Sequence, residues 1–508
     1  MAGASINRLP NEIHREILKA LFSLSIKPMS VHTDKDIYNA PPVEWEEKNA
    51  RLRTNFPFNA ANVCKLWYDI VTRIPKCWNR IVFDVRRDPT PFLDAFSWSD
   101  YPETLEVVVF SSATEFKMVD RKREARRVAA ITKALHPHLH RCKSVIFEVA
   151  YSSSLPLPSG FFEEYAPDLK KLSLGCNMAV DDSQRCSDAW ANPTTSDAEY
   201  LYLSQDFPML VELSLTGFCF MYLALHHPNW LQDVRMGGSN LHLSISSFEF
   251  VDRGFFTLPT FVHYLSQMHG RLNSLSLSDL CLSYEHEDEP RRRGAAVHKI
   301  SCPRINFKNV CDGFLSQFYS LVNVTARECQ SFTDCEIPII RQKQRGRVLL
   351  LKNIEDSSNG PSEERGTGLR NILEVWSGSE LKIRSCKAFD DTLLDWLKPG
   401  VKSVSNDPFG AHHSVAISSL CVRDCENFTS RGMREFIDAQ NKFSEAEDEN
   451  DSDSDESDGE RIRLRYLTVT GKCPEITQED RDFYGAKSAG LTLTWKSTQV
   501  SVHEPEKV

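Results

Sequence analysis

His136, His138, His140 and Cys142 put four metal-ligating side chain types within one short stretch. Imidazole and thiolate in such density are the ligands zinc takes. Their alternation predicts a strand edge or loop, and no metal site is expected there. None of the chain's 15 cysteines forms a Cys-x-x-Cys pair, the spacing that lets one turn present two thiolates to a tetrahedral ion. The cysteines read instead as small buried apolar residues. No Gly-x-Ser-x-Gly elbow, phosphate-cradling glycine loop or His-Glu-x-x-His pair occurs, so the usual nucleophile and metal-hydrolase motifs are missing. The residues therefore predict no catalytic group and no cofactor. A hydrolase with an unrecognised site is the enzymatic alternative.

A different chemistry, modification, suits the stretch 444–460 (SEAEDENDSDSDESDGE), which holds ten acids and no base. Ser444, Ser452 and Ser457 each have an acid three residues on. Acid-directed kinases favour that arrangement, and phosphate would deepen the charge. The plainer reading is a solubilising loop. With so few apolar residues the run is expected to be disordered. The whole chain carries a net charge of −10, all of it accounted for by this run. The neutral remainder predicts no nucleic-acid binding.

A chain of 508 residues is too long for one compact domain. They suit two or three globular units or an elongated repeat array. No apolar stretch approaches the roughly 18 residues needed to cross a bilayer, so no membrane contact is expected. The first residues lack the basic start and apolar run of a secretory signal. A cytoplasmic or nuclear protein with reduced thiols is expected. The basic run Arg121–Arg127 (RKREARR) reads either as a nuclear-import signal or as the solvated face of a helix.

Two N-terminal helices are predicted. The first spans Leu9 to Leu24 with Pro10 at its first position. Ile13, Ile17, Ala20, Leu21 and Leu24 form a stripe expected to face the core, and Leu18 and Phe22 point elsewhere. The second spans Asn59 to Arg73, with Asn59 as N-cap and Val63, Trp67, Ile70, Val71 and Ile74 as its stripe. Pro75 ends it. Both helices carry apolar residues outside one stripe. Two short helices cannot bury two faces between them, so the surplus meets either the rest of the chain or a partner.

The segments Leu9-Pro10-x-Glu12-Ile13 with Ile17-Leu18, then Val63-Cys64-x-x-Trp67-x-x-Ile70 and Pro75-x-x-Trp78, resemble the F-box, in the form common among fungal proteins. The resemblance covers residues 5–84. It implies a small helical hook that docks on the S-phase-kinase-associated adaptor of cullin-RING (SCF) ubiquitin ligases. The docking residues it implies are Leu9, Pro10, Ile13, Ile17, Leu18, Val63, Cys64, Trp67, Ile70 and Trp78, some of which must instead hold the small domain together. The chain departs from the family by inserting residues 25–57 between the first two helices. An insertion in a surface loop costs little, because closure entropy grows only logarithmically with length.

From residue 100 onward an apolar-x-x-apolar-x-apolar pattern recurs. Copies begin at Leu169, Leu210, Leu272, Leu321, Ile417 and Leu464. Each predicts a short strand with inward residues two apart. Cys386, Cys425 and Cys329 follow a strand and precede Phe389, Phe428 and Phe332. At each, a thiol is expected to satisfy turning backbone groups, with Thr or Asp opening a return segment. This resembles the cysteine-containing leucine-rich repeat, which stacks into a curved solenoid. The expected fold class is thus α/β: a small N-terminal helical F-box, a degenerate leucine-rich-repeat solenoid over 100–500, and the disordered acidic insertion. The implied function is recruitment of an unidentified target protein to the ligase. The alternative is an interaction scaffold with a vestigial F-box.

Overall fold

Strands that alternate inward and outward residues dominate the chain, and helices return between them. The structure, a computed structural model, describes residues 9–25, 56–99, 104–112, 120–162, 165–178, 207–228, 240–268, 272–284, 298–340, 342–354, 367–398, 417–450, 464–486 and 491–497. The fold is α/β with parallel strands. Two compact units divide within one strand: the first holds residues up to 241 and 246–248, the second holds 242–245 and everything from 249.

In the first unit, α1 (Asn11–Ser25), α2 (Phe58–Ala61) and α3 (Lys65–Val71) precede the strands. Then β1 (Arg80–Asp84), β2 (Leu105–Phe110), β3 (Cys142–Tyr151), β4 (Lys171–Met178) and β5 (Glu212–Thr216) pair in parallel and in sequence order. Parallel neighbours need a crossover, which helices supply. The basic run lies on α4 (Arg121–Leu135), between β2 and β3. Asp120 caps it by accepting from the Arg123 amide at 3.1 Å. Arg121, Lys122 and Arg123 face solvent, whereas Val128, Ile131 and Leu135 are buried. Glu124 is buried too, and its carboxylate accepts from the amides of Ala150 (3.2 Å) and Tyr151 (3.1 Å). α5 (Gly217–His226) follows β5, and its Thr216 cap accepts from Cys219 at 3.2 Å.

The stretch His136–Arg141, expected as a strand edge or loop, is a short 3-10 helix, and Cys142 opens β3. Pro137 suits that tight turn, since its missing amide falls at a helix start. His138 stacks on Phe96 with ring centres 5.9 Å apart, and burial lowers its proton affinity. The Cys142 thiol donates to the His138 carbonyl at 3.4 Å, and burial pushes it up to about 12. His138 and Cys142 thus have packing roles, and His140 is exposed.

β6 (Leu241–Phe250) gives residues to both units. The second unit continues with β7 (Leu272–Leu282), β8 (His298–Lys308), β9 (Val322–Thr333), β10 (Val348–Lys352), β11 (Glu380–Arg384), β12 (Ser419–Arg423), β13 (Tyr466–Gly471) and β14 (Thr492–Ser497), all parallel and in sequence order. Two inward rows run across them. Leu275, Ile305, Gln330, Leu349, Leu381, Leu420 and Leu467 form one, and Leu277, Phe307, Phe332, Leu351, Ile383, Val422 and Val469 form the other; none is more than 1 % exposed. Each such apolar side chain contributes about 1.5–3 kcal/mol by leaving water. Gln330 is the polar member, and its amide nitrogen donates to the Tyr319 hydroxyl at 2.7 Å. Helices α6 (Leu258–Gln267), α7 (Asp312–Leu321), α8 (Thr367–Val375), α9 (Asp391–Trp396), α10 (Ser430–Asn450) and α11 (Gln478–Ala486) lie between strands.

Two residues past the second inward residue, the chain turns through a left-handed conformation. Asp279, Asn309, Asp334, Asn353, Ser385 and Asp424 hold φ between 49° and 54° there, as does Ser247 within β6. Asn and Asp tolerate this region better than other non-glycine residues. At β13 the position is Gly471, with φ 81°, where an added Cβ would run into the Asp424 carboxylate. The turned residue donates its amide to the next strand: Asp334 to Lys352 (3.0 Å), Asn353 to Arg384 (3.0 Å), Ser385 to Arg423 (2.9 Å) and Asp424 to Thr470 (3.0 Å). Side chains brace neighbouring turns, Asn309 to Asp279 at 2.6 Å and Asn353 to Asp334 at 2.8 Å.

The residue after this turn is the buried thiol in three strands. Cys335, Cys386 and Cys425 donate to carbonyls two residues back, at 3.2, 3.2 and 3.4 Å. Cys386 and Cys425 thus have the expected role, and Asp390 caps α9 by accepting from Leu393 at 2.9 Å. Cys329 does not have it. It sits within β9, paired with Val348, and Cys335 takes the turn position. The copy at Leu321–Ala326 pairs only with the first half of β8, before a register shift between Cys302 and Arg304. That extra residue moves the repeating row to Gln330 and Phe332.

The acidic stretch also differs from expectation at its start. α10 continues to Asn450, so residues 444–450 are helical in backbone. Glu and Ala extend a helix readily once its first turns are packed. Residues 451–463 lie outside the described residues.

Asn353→Val should lower stability by about 1–2 kcal/mol, because a β-branched side chain resists the left-handed region, while Asn353→Gly should lose less. Urea unfolding of both variants checks this; equal losses would contradict it.

Candidate functional site

α1 begins where the Pro10 carbonyl accepts from the amides of Ile13 (3.0 Å) and His14 (3.3 Å). Its buried face is His14 and Leu18, each 0 % exposed. They stand four residues apart and so share one side of the helix. Trp67 on α3 fixes this face: its indole N–H donates to His14 Nδ1 at 3.2 Å, with the rings edge-on. An indole nitrogen only donates, so His14 carries its proton on Nε2. That atom is buried without a partner.

Apolar side chains also stay open along the helix. Leu9 is 39 %, Ile13 46 % and Leu21 38 % exposed, with Ile17 half-buried beside them. This rotates α1 from its expected orientation. The stripe of Ile13, Ile17, Ala20 and Leu21 was expected inward, yet Leu18 from the other face fills the core. Phe22 is half-buried against Phe56, ring centres 5.9 Å apart. Both faces have helical periodicity, and periodicity cannot say which one meets α3. The Trp67–His14 contact decides it.

The second predicted helix is two helices. Asn62 breaks it by donating its side-chain amide to the Phe58 carbonyl at 2.8 Å, a local bond that competes with helix continuation. Cys64 is then extended, with φ −164°, and precedes α3. Asn59 lies inside α2 and is no N-cap; Pro57 precedes that helix. The break leaves Val63 in the link, 62 % exposed.

A cluster of rings ties α2 and α3 to the first strand region. Trp78 is fully buried, donates to the Val71 carbonyl at 2.9 Å and meets Trp98 at 4.5 Å between ring centres. Phe58 and Phe92 stand 5.2 Å apart in the same cluster, and the Tyr68 hydroxyl donates to the Pro91 carbonyl at 3.2 Å. Such aromatic pairs add about 0.5–1.5 kcal/mol each beyond area burial.

The ten side chains expected at a partner surface therefore separate into three groups. Leu9, Pro10, Ile13 and Val63 are exposed, and Ile17, Cys64, Trp67 and Ile70 are half-buried. Leu18 and Trp78 are fully buried and hold the helices in place. Sequence reasoning passed over His14, although its spacing to Leu18 is the signal that marks their shared face. Of the expected phosphorylation sites, Ser444 is on α10, whereas Ser452 and Ser457 lie outside the described residues. So does nearly all of the insertion at 25–57.

Among the described residues no group of three or more His, Cys, Asp or Glu side chains is arranged to hold a metal ion, and no helix is long and apolar enough to cross a membrane. No protein-family model matches the chain, and no curated protein matches it either.

Leu18→Ala should cost about 2–5 kcal/mol, the usual loss for a buried leucine. Ile13→Ala and Val63→Ala should each change stability by about 0.5 kcal/mol or less. Thermal unfolding measures the contrast, and a large loss at Ile13 would contradict the orientation of α1.

Proposed function

We propose that the chain is the substrate-recognition subunit of an SCF-type ubiquitin ligase. Its N-terminal helices dock on the S-phase-kinase-associated adaptor, and the strand-bearing remainder binds a target protein. One observation carries this reading. Leu9 ahead of α1, Ile13 and Leu21 on it and Val63 in the link are each at least 38 % open, although Leu18 and Trp78 are fully buried. Several exposed apolar residues in so small a helical region suit a surface that a partner covers. The Leu-Pro and Val-Cys-x-x-Trp segments that resemble the F-box supply the partner.

The successive parallel strands with a recurring turn support the other half of the reading, a leucine-rich-repeat solenoid. In this reading the chain works without an acid, base or nucleophile of its own. It acts by proximity, raising the effective concentration of a target lysine near the ubiquitin held by the cullin-RING assembly. This assigns the protein to the cytoplasm or nucleus, where that machinery works.

Ile13→Asp with Val63→Asp tests the docking claim, because both side chains are exposed and the fold should tolerate them. Affinity for purified adaptor should fall by about thirtyfold or more, the loss expected at an interface hot spot, with an unchanged melting temperature. Failure of the native chain to bind adaptor would favour a scaffold without a ligase role.

A further inference from the structure

The outward face of the second unit's sheet segregates charge. Opposite the two buried rows stand three outward rows. The last contains, strand by strand from β7 to β14, Ser278, Lys308, Thr333, Lys352, Arg384, Arg423, Thr470 and Lys496, each in register with the next. Five of these eight are cations. Arg304 and Lys382 stand in the other two rows, where Glu380 is the one carboxylate. Beyond the acidic run the chain is net neutral, so this row is not the reflection of a basic protein.

Of the nearby anions, only Asp424 pairs with a member of the row among the described residues. Glu380 is held by Arg347 at 2.7 Å, and Glu328 by Arg304 at 3.0 Å. Asp424 lies 3.3 Å from Arg423 and also accepts from the Lys472 amide at 3.0 Å. Asp334 is bonded to Asn353. Among the described residues no carboxylate pairs with Lys308, Lys352 or Arg384, and the Arg384 Nε is buried without a hydrogen-bond partner. Lysines 308, 352 and 496 are exposed.

We propose that this row binds an acidic or phosphorylated peptide segment of a partner protein, laid across the strands. Strands stand about 4.8 Å apart, so Lys308 to Lys496 spans about 29 Å. An extended chain of about nine residues covers that length. Arg presents a fork suited to carboxylate and phosphate, and Lys a mobile point charge. A single-stranded nucleic acid is the weaker fit. Such ligands stack on aromatic platforms, and the three outward rows hold one aromatic side chain, Tyr466. The inference rests on reading this sheet as the target-binding surface, and it needs no adaptor for its test.

The test is fluorescence anisotropy of the full chain with a labelled peptide of about twelve glutamate and phosphoserine residues, beside an oligouridylate of equal charge. The peptide should bind more tightly than the RNA and weaken with salt. Lys352→Glu with Arg384→Glu should weaken it by about tenfold or more. Lys308→Ala with Arg423→Ala, milder for the fold, should weaken it less but measurably. Ile13→Asp with Val63→Asp should leave it unchanged, which separates this surface from adaptor docking. Equal or tighter RNA binding would overturn the proposal, as would peptide binding indifferent to both cation variants. Binding seen only after removal of residues 451–460 would also overturn it, giving the row to the chain's own acidic run.

Discussion

From β6 to β13 the structure depends on one repeated constraint: each strand buries two side chains and then must turn without leaving backbone amides unpaired. The left-handed residue solves this. It turns the chain and hands its own amide to the following strand, as Asn353 does to Arg384. A buried amide without a partner costs about 1–3 kcal/mol, and the cost would recur at every strand. The same turn fixes which residue points inward next, so Cys335, Cys386 and Cys425 enter the core and donate to the strand they have just left.

The N-terminal helices obey a different constraint. They are too short to hide every apolar side chain, so the contact they make determines what remains outside. Trp67 against His14 and Trp78 against Trp98 use up one face of each element. Leu9, Ile13, Leu21 and Val63 are left over. An apolar surplus therefore exists, but Ile13, Leu21 and Val63 belong to the stripes that periodicity had assigned to the core.

Much of the strand-bearing part was legible in the sequence, because an inward residue every second position is a direct mark of a strand. The copies at Leu169, Leu210, Leu272, Ile417 and Leu464 all bury their leading and inward residues. β10 escaped notice because Val348–Leu351 is a continuous apolar run without alternation, and β8 because its register shift spreads Ile300, Cys302, Ile305 and Phe307 unevenly. The same shift misplaced Cys329. The turns were readable only in retrospect, as Asp, Asn or Ser two residues after the second inward position. The cation row needed the register itself, since Lys308, Lys352, Arg384 and Arg423 are far apart in sequence and meet only through pairing. At the candidate site, residue types were legible and facing was not, because a single hydrogen bond between distant residues sets it.

The most direct test is hydrogen exchange of the full chain with and without purified adaptor. Docking through the open helical face predicts slowed exchange in residues 9–23 and 62–70, with β7 to β14 unchanged. Unchanged exchange in both N-terminal stretches, or protection confined to the strands, would contradict it.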